Sequence, residues 1–82
     1  MTTNELKKGT RIHLKNGWYA TLMDNKKGTI RMAEVEGFYT EIGSIYAHDI
    51  AEYRDEHGEW HLVEHTKKQK EVEKMNRMIF GA

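Results

Sequence analysis

The feature that most constrains this chain is the dipeptide Asn16-Gly17, set between two stretches that alternate in polarity. Before it, Thr10-Arg11-Ile12-His13-Leu14-Lys15 puts Ile12 and Leu14 on one face. After it, Trp18-Tyr19-Ala20-Thr21-Leu22-Met23 puts Trp18, Ala20 and Leu22 on one face and Tyr19, Thr21 and Met23 on the other. Alternation with a period of two marks a half-buried strand. An Asn-Gly pair between two such runs predicts a type I′ hairpin, because both central residues of that turn need positive φ. The chain is therefore expected to begin as antiparallel β-structure.

The same punctuation continues. Asp24-Asn25-Lys26-Lys27-Gly28 is a polar loop ending in glycine. Residues 29–35 read as a third strand whose apolar positions Ile30, Met32 and Val35 change parity, which predicts a bulge or bend near Ala33. Glu36-Gly37 is the next turn. Residues 38–42 read equally as strand or loop, residues 43–47 as a strand, His48-Asp49-Ile50 as a tight turn, and residues 51–53 as extended. Asp55-Glu56-His57-Gly58 is a second hairpin turn, followed by a strand over 59–64 with Trp60 and Leu62 on one side. A helix starting near Glu59 is the rival reading, and Gly58 with the Trp, Leu and Val content favours the strand. Thr66-Lys67-Lys68-Gln69 has the form of a capping box. It opens a helix from Lys67 to about Ile79, stopped by Gly81, with Val72, Met75 and Ile79 on one docking stripe. The expected fold is mainly β: a small SH3-like β-barrel of five or six short antiparallel strands over residues 1–65, then a C-terminal α-helix over 66–82 packed on the barrel or on a partner.

Composition bounds the function. With 82 residues and 38% hydrophobic content, the chain suits one small globular domain. It has no cysteine, which removes disulfides, thiolate metal ligands and cysteine nucleophiles and fits a reducing compartment. Residues 1–8 lack the apolar segment of a signal peptide, and no apolar run approaches roughly 18 residues, so a cytoplasmic protein with no membrane partner is expected. A net charge of zero conceals segregation: residues 1–31 carry seven Lys/Arg and two acids, residues 32–65 nine acids and one base. Either oppositely charged strands neutralise each other locally, or two charged faces exist, one for a partner.

Few residues suggest chemistry. His57, His61 and His65 are spaced by four, which on a helix would align three imidazoles for a metal. On the favoured strand, His61 and His65 stand about 13 Å apart, too far to share an ion. No metal, cofactor or catalytic residue is assigned. Nothing resembles a nucleophile elbow, a metalloprotease helix or a phosphate-binding glycine loop, so no enzyme activity is expected. Trp18 and Tyr19 follow the first glycine turn, and Phe38 and Tyr39 follow Glu36-Gly37; such aromatics either anchor a partner or close the ends of the barrel. Glu36 and Glu41 flank the second pair and complete the candidate partner-binding set. Lys15, Lys26, Lys27 and Arg31, interleaved with Trp18 and Tyr19, form the candidate nucleic-acid patch of the alternative reading. Acid-rich residues 32–65 argue against tight unspecific phosphate binding.

Two stretches resemble known groups. Lys8-Gly9-Thr10-Arg11-Ile12, Asn16 to Leu22 and Gly28-Thr29-Ile30-Arg31 look like the start of a KOW or translocase-accessory (YajC-like) barrel. That resemblance implies an SH3-like barrel and, for KOW modules, nucleic-acid contact. Asn16-Gly17-Trp18, Asp24 to Gly28 and Ala33 to Tyr46 resemble small uncharacterised proteins of tailed bacteriophages. This second resemblance implies expression in a bacterial host cytoplasm and brings no catalytic residues. The expected function is a non-enzymatic binding module, phage-encoded, that docks on a bacterial host protein in host takeover or defence evasion. The alternative is a nucleic-acid-binding accessory protein of KOW-like type.

Overall fold

A computed structural model describes the backbone of residues 1–80 and the side chains of residues 1–78. A short 3-10 turn, Thr3–Glu5, precedes strands β1 (Arg11–Leu14), β2 (Tyr19–Leu22), β3 (Ile30–Glu36) and β4 (Thr40–Tyr46). A second 3-10 turn, Ala47–Asp49, leads into β5 (Ile50–Arg54) and β6 (Trp60–Leu62), and helix α1 spans Lys67–Phe80. The fold is mainly β. All six strands form one antiparallel sheet in the order β4-β3-β2-β1-β5-β6. Among the described residues no pairing joins β4 to β6, so the sheet is open and those two strands are its edges.

An open sheet need not be flat, and this one cannot be. Tyr46 ends β4 and Ile50 begins β5, four Cα steps that span at most about 14 Å. In a flat sheet the four intervening spacings alone would separate these strands by about 19 Å. The sheet therefore curls until the 3-10 turn reaches the tip of β1, where the Lys15 N–H donates to the Asp49 carbonyl at 2.8 Å. Ile12, Leu14, Ala20, Leu22, Ala33 and Ile50 fill the concave side, with Leu6 and Val63 completing the core. The alternation expected of the first two strands holds: Ile12, Leu14, Ala20 and Leu22 all point inward.

The first turn is longer than its dipeptide suggests. The Gly17 N–H donates to the Leu14 carbonyl at 2.9 Å and the Leu14 N–H to the Trp18 carbonyl at 2.8 Å. Lys15 and Asn16 are thus the central residues, and Gly17 alone has positive φ, +95°. This is a three-residue loop with a glycine bulge rather than a type I′ turn. The second hairpin repeats it: Gly58 donates to Asp55 at 3.0 Å, and Gly58 has φ +84°. Because a side chain at positive φ is strained even where space is open, Gly17→Val is expected to cost more than about 1 kcal/mol. Urea denaturation checks this; an unchanged midpoint would show that the loop relaxes.

The expected bulge near Ala33 is absent. β3 pairs with β4 in unbroken register from end to end and with β2 in unbroken register over residues 33–36. Its inward residues are Arg31, Ala33 and Val35, whereas Ile30 and Met32 lie on the outer face and are exposed. The apolar residues misled because an arginine, not an isoleucine, occupies the inside. Arg31 is fully buried. Its Nε donates to Asp24 Oδ1 at 2.7 Å, its Nη1 to the Thr3 carbonyl at 2.7 Å, and its Nη2 to the Leu6 carbonyl at 2.8 Å and the Asp24 carbonyl at 2.7 Å. A buried guanidinium needs this degree of pairing.

The capping box forms as the sequence predicts. The Gln69 N–H donates to Thr66 Oγ1 at 3.2 Å and the Thr66 N–H to Gln69 Oε1 at 3.0 Å. Gln69 is also buried, and its Nε2 donates to Thr3 Oγ1 at 2.6 Å and to the Gly28 carbonyl at 2.8 Å. The expected docking stripe is only partly realised. Val72 is half-buried, Met75 is exposed, and Ile79 and Gly81 lie outside the described side chains. Polar anchors hold α1 instead: Gln69, and Glu73, whose Oε2 lies 2.6 Å from Lys15 Nζ. No described helix is long and apolar enough to cross a membrane.

Candidate functional site

The tips of the β1–β2 and β3–β4 hairpins meet on one side of the curl. Trp18 leaves the β1–β2 loop facing the Gly37-Phe38-Tyr39 tip of β3–β4, and its ring packs edge-on against Phe38 with centroids 5.7 Å apart and planes at 79°. Gly37 makes this approach possible, since a Cβ there would lie 2.6 Å from Trp18 Cζ3. Between the tips, the edge of β4 and Asp49 runs a groove of about 510 Å³. Leu14, Val35 and Ile45 contribute its apolar lining, and Trp18, Phe38 and Tyr39 its aromatic lining. Phe38 is 90% and Tyr39 80% exposed, so neither closes an end of the sheet. At the far end, the buried His48 stacks on Tyr46 at 5.0 Å with its Nε2 3.4 Å from Asp49 Oδ1, fixing both residues along the groove.

The structure divides the six candidate partner-binding residues. Trp18, Phe38, Tyr39 and Glu41 line the groove. Tyr19 and Glu36 are cross-strand partners on the opposite face. There Tyr19 stacks on His13 at 4.6 Å and tilts against Trp60 at 5.7 Å, while the Arg11 guanidinium lies 5.4 Å from its ring centroid and pairs with Glu36. Consecutive residues of a strand point to opposite faces, so Trp18 and Tyr19 cannot share one surface. Sequence reasoning missed Ile42, which lines the groove and is exposed, because residues 38–42 did not declare themselves as strand. It also missed Trp60 as a companion of Tyr19, since that contact spans the curl from β2 to β6.

The four candidate nucleic-acid residues do not form one face. Arg31 is withdrawn into the core, so its guanidinium cannot reach a phosphate. Lys15 sits at the β1–β2 tip and pairs with Glu73. Lys26 and Lys27 lie in the loop at the other end of β2 and are exposed. The Lys8 N–H donates to Asn25 Oδ1 at 2.7 Å, which brings the equally exposed Lys7 and Lys8 beside that loop. The other bases of the first segment, Arg11, Lys15 and Arg31, each meet an acid: Glu36, Glu73 and Asp24.

The three histidines separate. His57 is in the second hairpin turn, His65 Nε2 lies 2.9 Å from the Ile50 carbonyl, and His61 joins Asp55. Asp55, Glu59 and His61 gather ligand atoms within 4.8 Å, but the carboxylate of Asp55 is already engaged. Its Oδ1 accepts from the His57 N–H at 2.8 Å and the Glu59 N–H at 2.9 Å, and its Oδ2 lies 2.6 Å from His61 Nε2. The cluster is a clasp across the β5–β6 hairpin. The His61 hydrogen bond, followed by those of the Glu59 and His57 amides, holds the Asp55 pKa down to about 2. A carboxylate whose folded pKa lies below its unfolded value stabilises the fold fully above about pH 4, and this contribution is lost as pH falls through about 2. The Asp55 carboxyl resonance is accordingly expected to titrate near pH 2, and to move toward the ordinary aspartate range in His61→Ala. An Asp55 midpoint near 4 in the unmodified protein would remove the clasp.

No protein-family profile, curated protein or solved structure matches the chain.

Proposed function

We propose that this chain is a non-enzymatic binding module that docks on a protein partner through the groove bounded by Trp18, Phe38 and Tyr39. The observation that carries this reading is the pair of rings on the β3–β4 tip, held outward beside an apolar groove. Two large aromatic side chains exposed at a hairpin tip cost solvation that burial in a partner would recover. The lining is apolar and aromatic with the carboxylates of Glu41 and Asp49, a composition suited to recognition rather than to bond-making. The curled sheet with its 3-10 turn between β4 and β5 supports the finer reading of an SH3-like module. The resemblance to tailed-phage proteins makes a bacterial host protein, met in the host cytoplasm, the partner of choice.

The test is affinity capture from bacterial lysate with and without nuclease, followed by alanine substitution. Alanine at Phe38 or Tyr39 is expected to weaken the captured complex by about 1–3 kcal/mol and to leave the melting temperature nearly unchanged. Capture that survives the loss of Trp18, Phe38 and Tyr39 together would overturn the reading. The exposed Lys7, Lys8, Lys26 and Lys27 around one loop favour a second reading, contact with nucleic acid. It requires oligonucleotide binding that weakens steeply between about 50 and 200 mM salt and disappears when Lys26 and Lys27 are replaced. Arg31 is left intact in that test, since its loss would act on the fold. Such binding would sink the protein-partner reading, and its absence would sink the alternative.

A further inference from the structure

The groove runs beside a strand edge that nothing in the described chain covers. The two edges of the sheet differ: β6 has three residues, whereas β4 has seven. Folded proteins shield an edge by shortening or bulging it, or by placing proline or lysine along it, because its unpaired N–H and C=O groups invite another strand. β4 carries no proline and no lysine, and it keeps unbroken register with β3. The Ala47 N–H donates to the Thr29 carbonyl at 2.9 Å. By the alternation of an antiparallel ladder, Ile45, Gly43 and Glu41 then direct their backbone groups to β3. Ser44, Ile42 and Thr40 direct theirs to the open edge. Ile42 and Ser44 also line the groove, so the free backbone groups and the apolar lining belong to one surface.

Charge selects what can lie there. Glu41 and Asp49 are the charged residues lining the groove, with no lysine or arginine among them. A second copy of β4 would bring a second Glu41 to the same edge with no base to neutralise it, a like-charge arrangement that disfavours such a pairing. A strand that carries Lys or Arg meets the opposite situation. Resting on the docking reading above, we infer that the partner supplies an extended basic segment that adds to β4 as a further strand. Its backbone pairs with Thr40, Ile42 and Ser44, alternate side chains enter the groove beside Trp18, and its cations meet Glu41 and Asp49. Main-chain pairing gives such a mode its affinity and the side-chain pockets its selectivity.

The probe is a displayed library of random dodecapeptides panned on the full chain. Enriched peptides are expected to alternate β-branched or aromatic residues and to carry Lys or Arg. Ser44→Pro removes one outward N–H at a place where an edge strand tolerates proline, and is expected to weaken these peptides about tenfold. Glu41→Lys, which leaves the backbone unchanged, is expected to weaken them several-fold at low salt, with a smaller effect at high salt. Loss in both variants supports the inference. Binding unchanged in a folded Ser44→Pro but abolished by Trp18→Ala overturns strand addition and leaves groove docking standing. Binding indifferent to Trp18→Ala, Phe38→Ala and Tyr39→Ala overturns both. If Ser44→Pro does not fold, Glu41→Lys decides, and unchanged affinity there overturns the inference. Failure to enrich any peptide, enrichment of acidic ones, or a dimer of the chain abolished by Ser44→Pro would each overturn it too.

Discussion

Asp24→Ala is expected to be among the most destabilising single substitutions in this chain, removing a large share of its folding stability. Asp24 is the only carboxylate hydrogen-bonded to Arg31 among the described residues, and the arginine side chain has no solvent exposure. Removing the acid leaves a guanidinium buried without a counter-charge, at a cost of about 3–5 kcal/mol. A domain of this length has about 4–12 kcal/mol in total. The Asp24 side chain also accepts from the Met32 N–H at 2.8 Å and the Lys26 N–H at 3.3 Å, so the loop into β3 loosens as well. Urea denaturation measures the effect, and a loss below about 1 kcal/mol would mean that Arg31 swings out to water. Arg31→Met is the companion variant. It removes the charge but orphans the Leu6 and Asp24 carbonyls, each costing about 1–3 kcal/mol if water cannot reach it, while the Thr3 carbonyl keeps the Leu6 N–H. The two substitutions combined should cost less than their sum, because the second removes the charge that the first leaves unpaired.

The same network predicts acid sensitivity. Burial pushes the Asp24 pKa upward, but the Arg31 hydrogen bond, the two backbone amides and the Arg31 charge outweigh it and hold the group below its ordinary value. The stabilisation is complete above the unfolded aspartate pKa near 3.9 and is lost as pH falls through the lower folded value.

Gln69→Ala should release the helix. The substitution removes one half of the capping box, worth about 1 kcal/mol. It also removes the partner of Thr3 Oγ1 and of the Gly28 carbonyl, which raises the expected loss to about 2–4 kcal/mol. A helix of 14 residues is marginal by itself in water, and this one keeps Met75 and Met78 exposed rather than docked. Once Gln69 is gone, Glu73 and its pairing with Lys15 remain, a surface contact worth less than about 1 kcal/mol. Amide exchange in residues 70–78 should therefore accelerate far more than in β2 and β3. Equal acceleration everywhere would show that helix and sheet unfold as one unit, and an unchanged melting temperature would show that Gln69 is not the anchor.

The element types were legible in the sequence because each rests on local physics. Period-two alternation gave β1 and β2 their faces, glycines at 17 and 58 closed two hairpins by reaching positive φ, and Thr66 with Gln69 began the helix. These signals act within a few residues and survive any tertiary context. What failed were inferences from residue type to burial. Arg31 reads as a surface base in any local window. Its place inside depends on Asp24 and on the carbonyls of Thr3 and Leu6, which only the folded chain brings around it. The helix stripe of Val72 and Met75 reads as core, yet a polar residue, Gln69, makes the buried contact because Thr3 and Gly28 wait for it. Trp18 and Tyr19 are both candidate anchors in the sequence, and the opposite faces that alternation gives them put only Trp18 in the groove. The groove itself could not be read at all, since its walls come from residues 14–18, 35–46 and 49, joined when the curl of the sheet brings the turn after β4 to the tip of β1. Sequence alone determined most of the turns and the strands beside them, but not the first half of β4, where residues 38–42 read equally as strand or loop. Tertiary structure decided which charges are buried and which aromatics share a surface, because both depend on partners far apart along the chain.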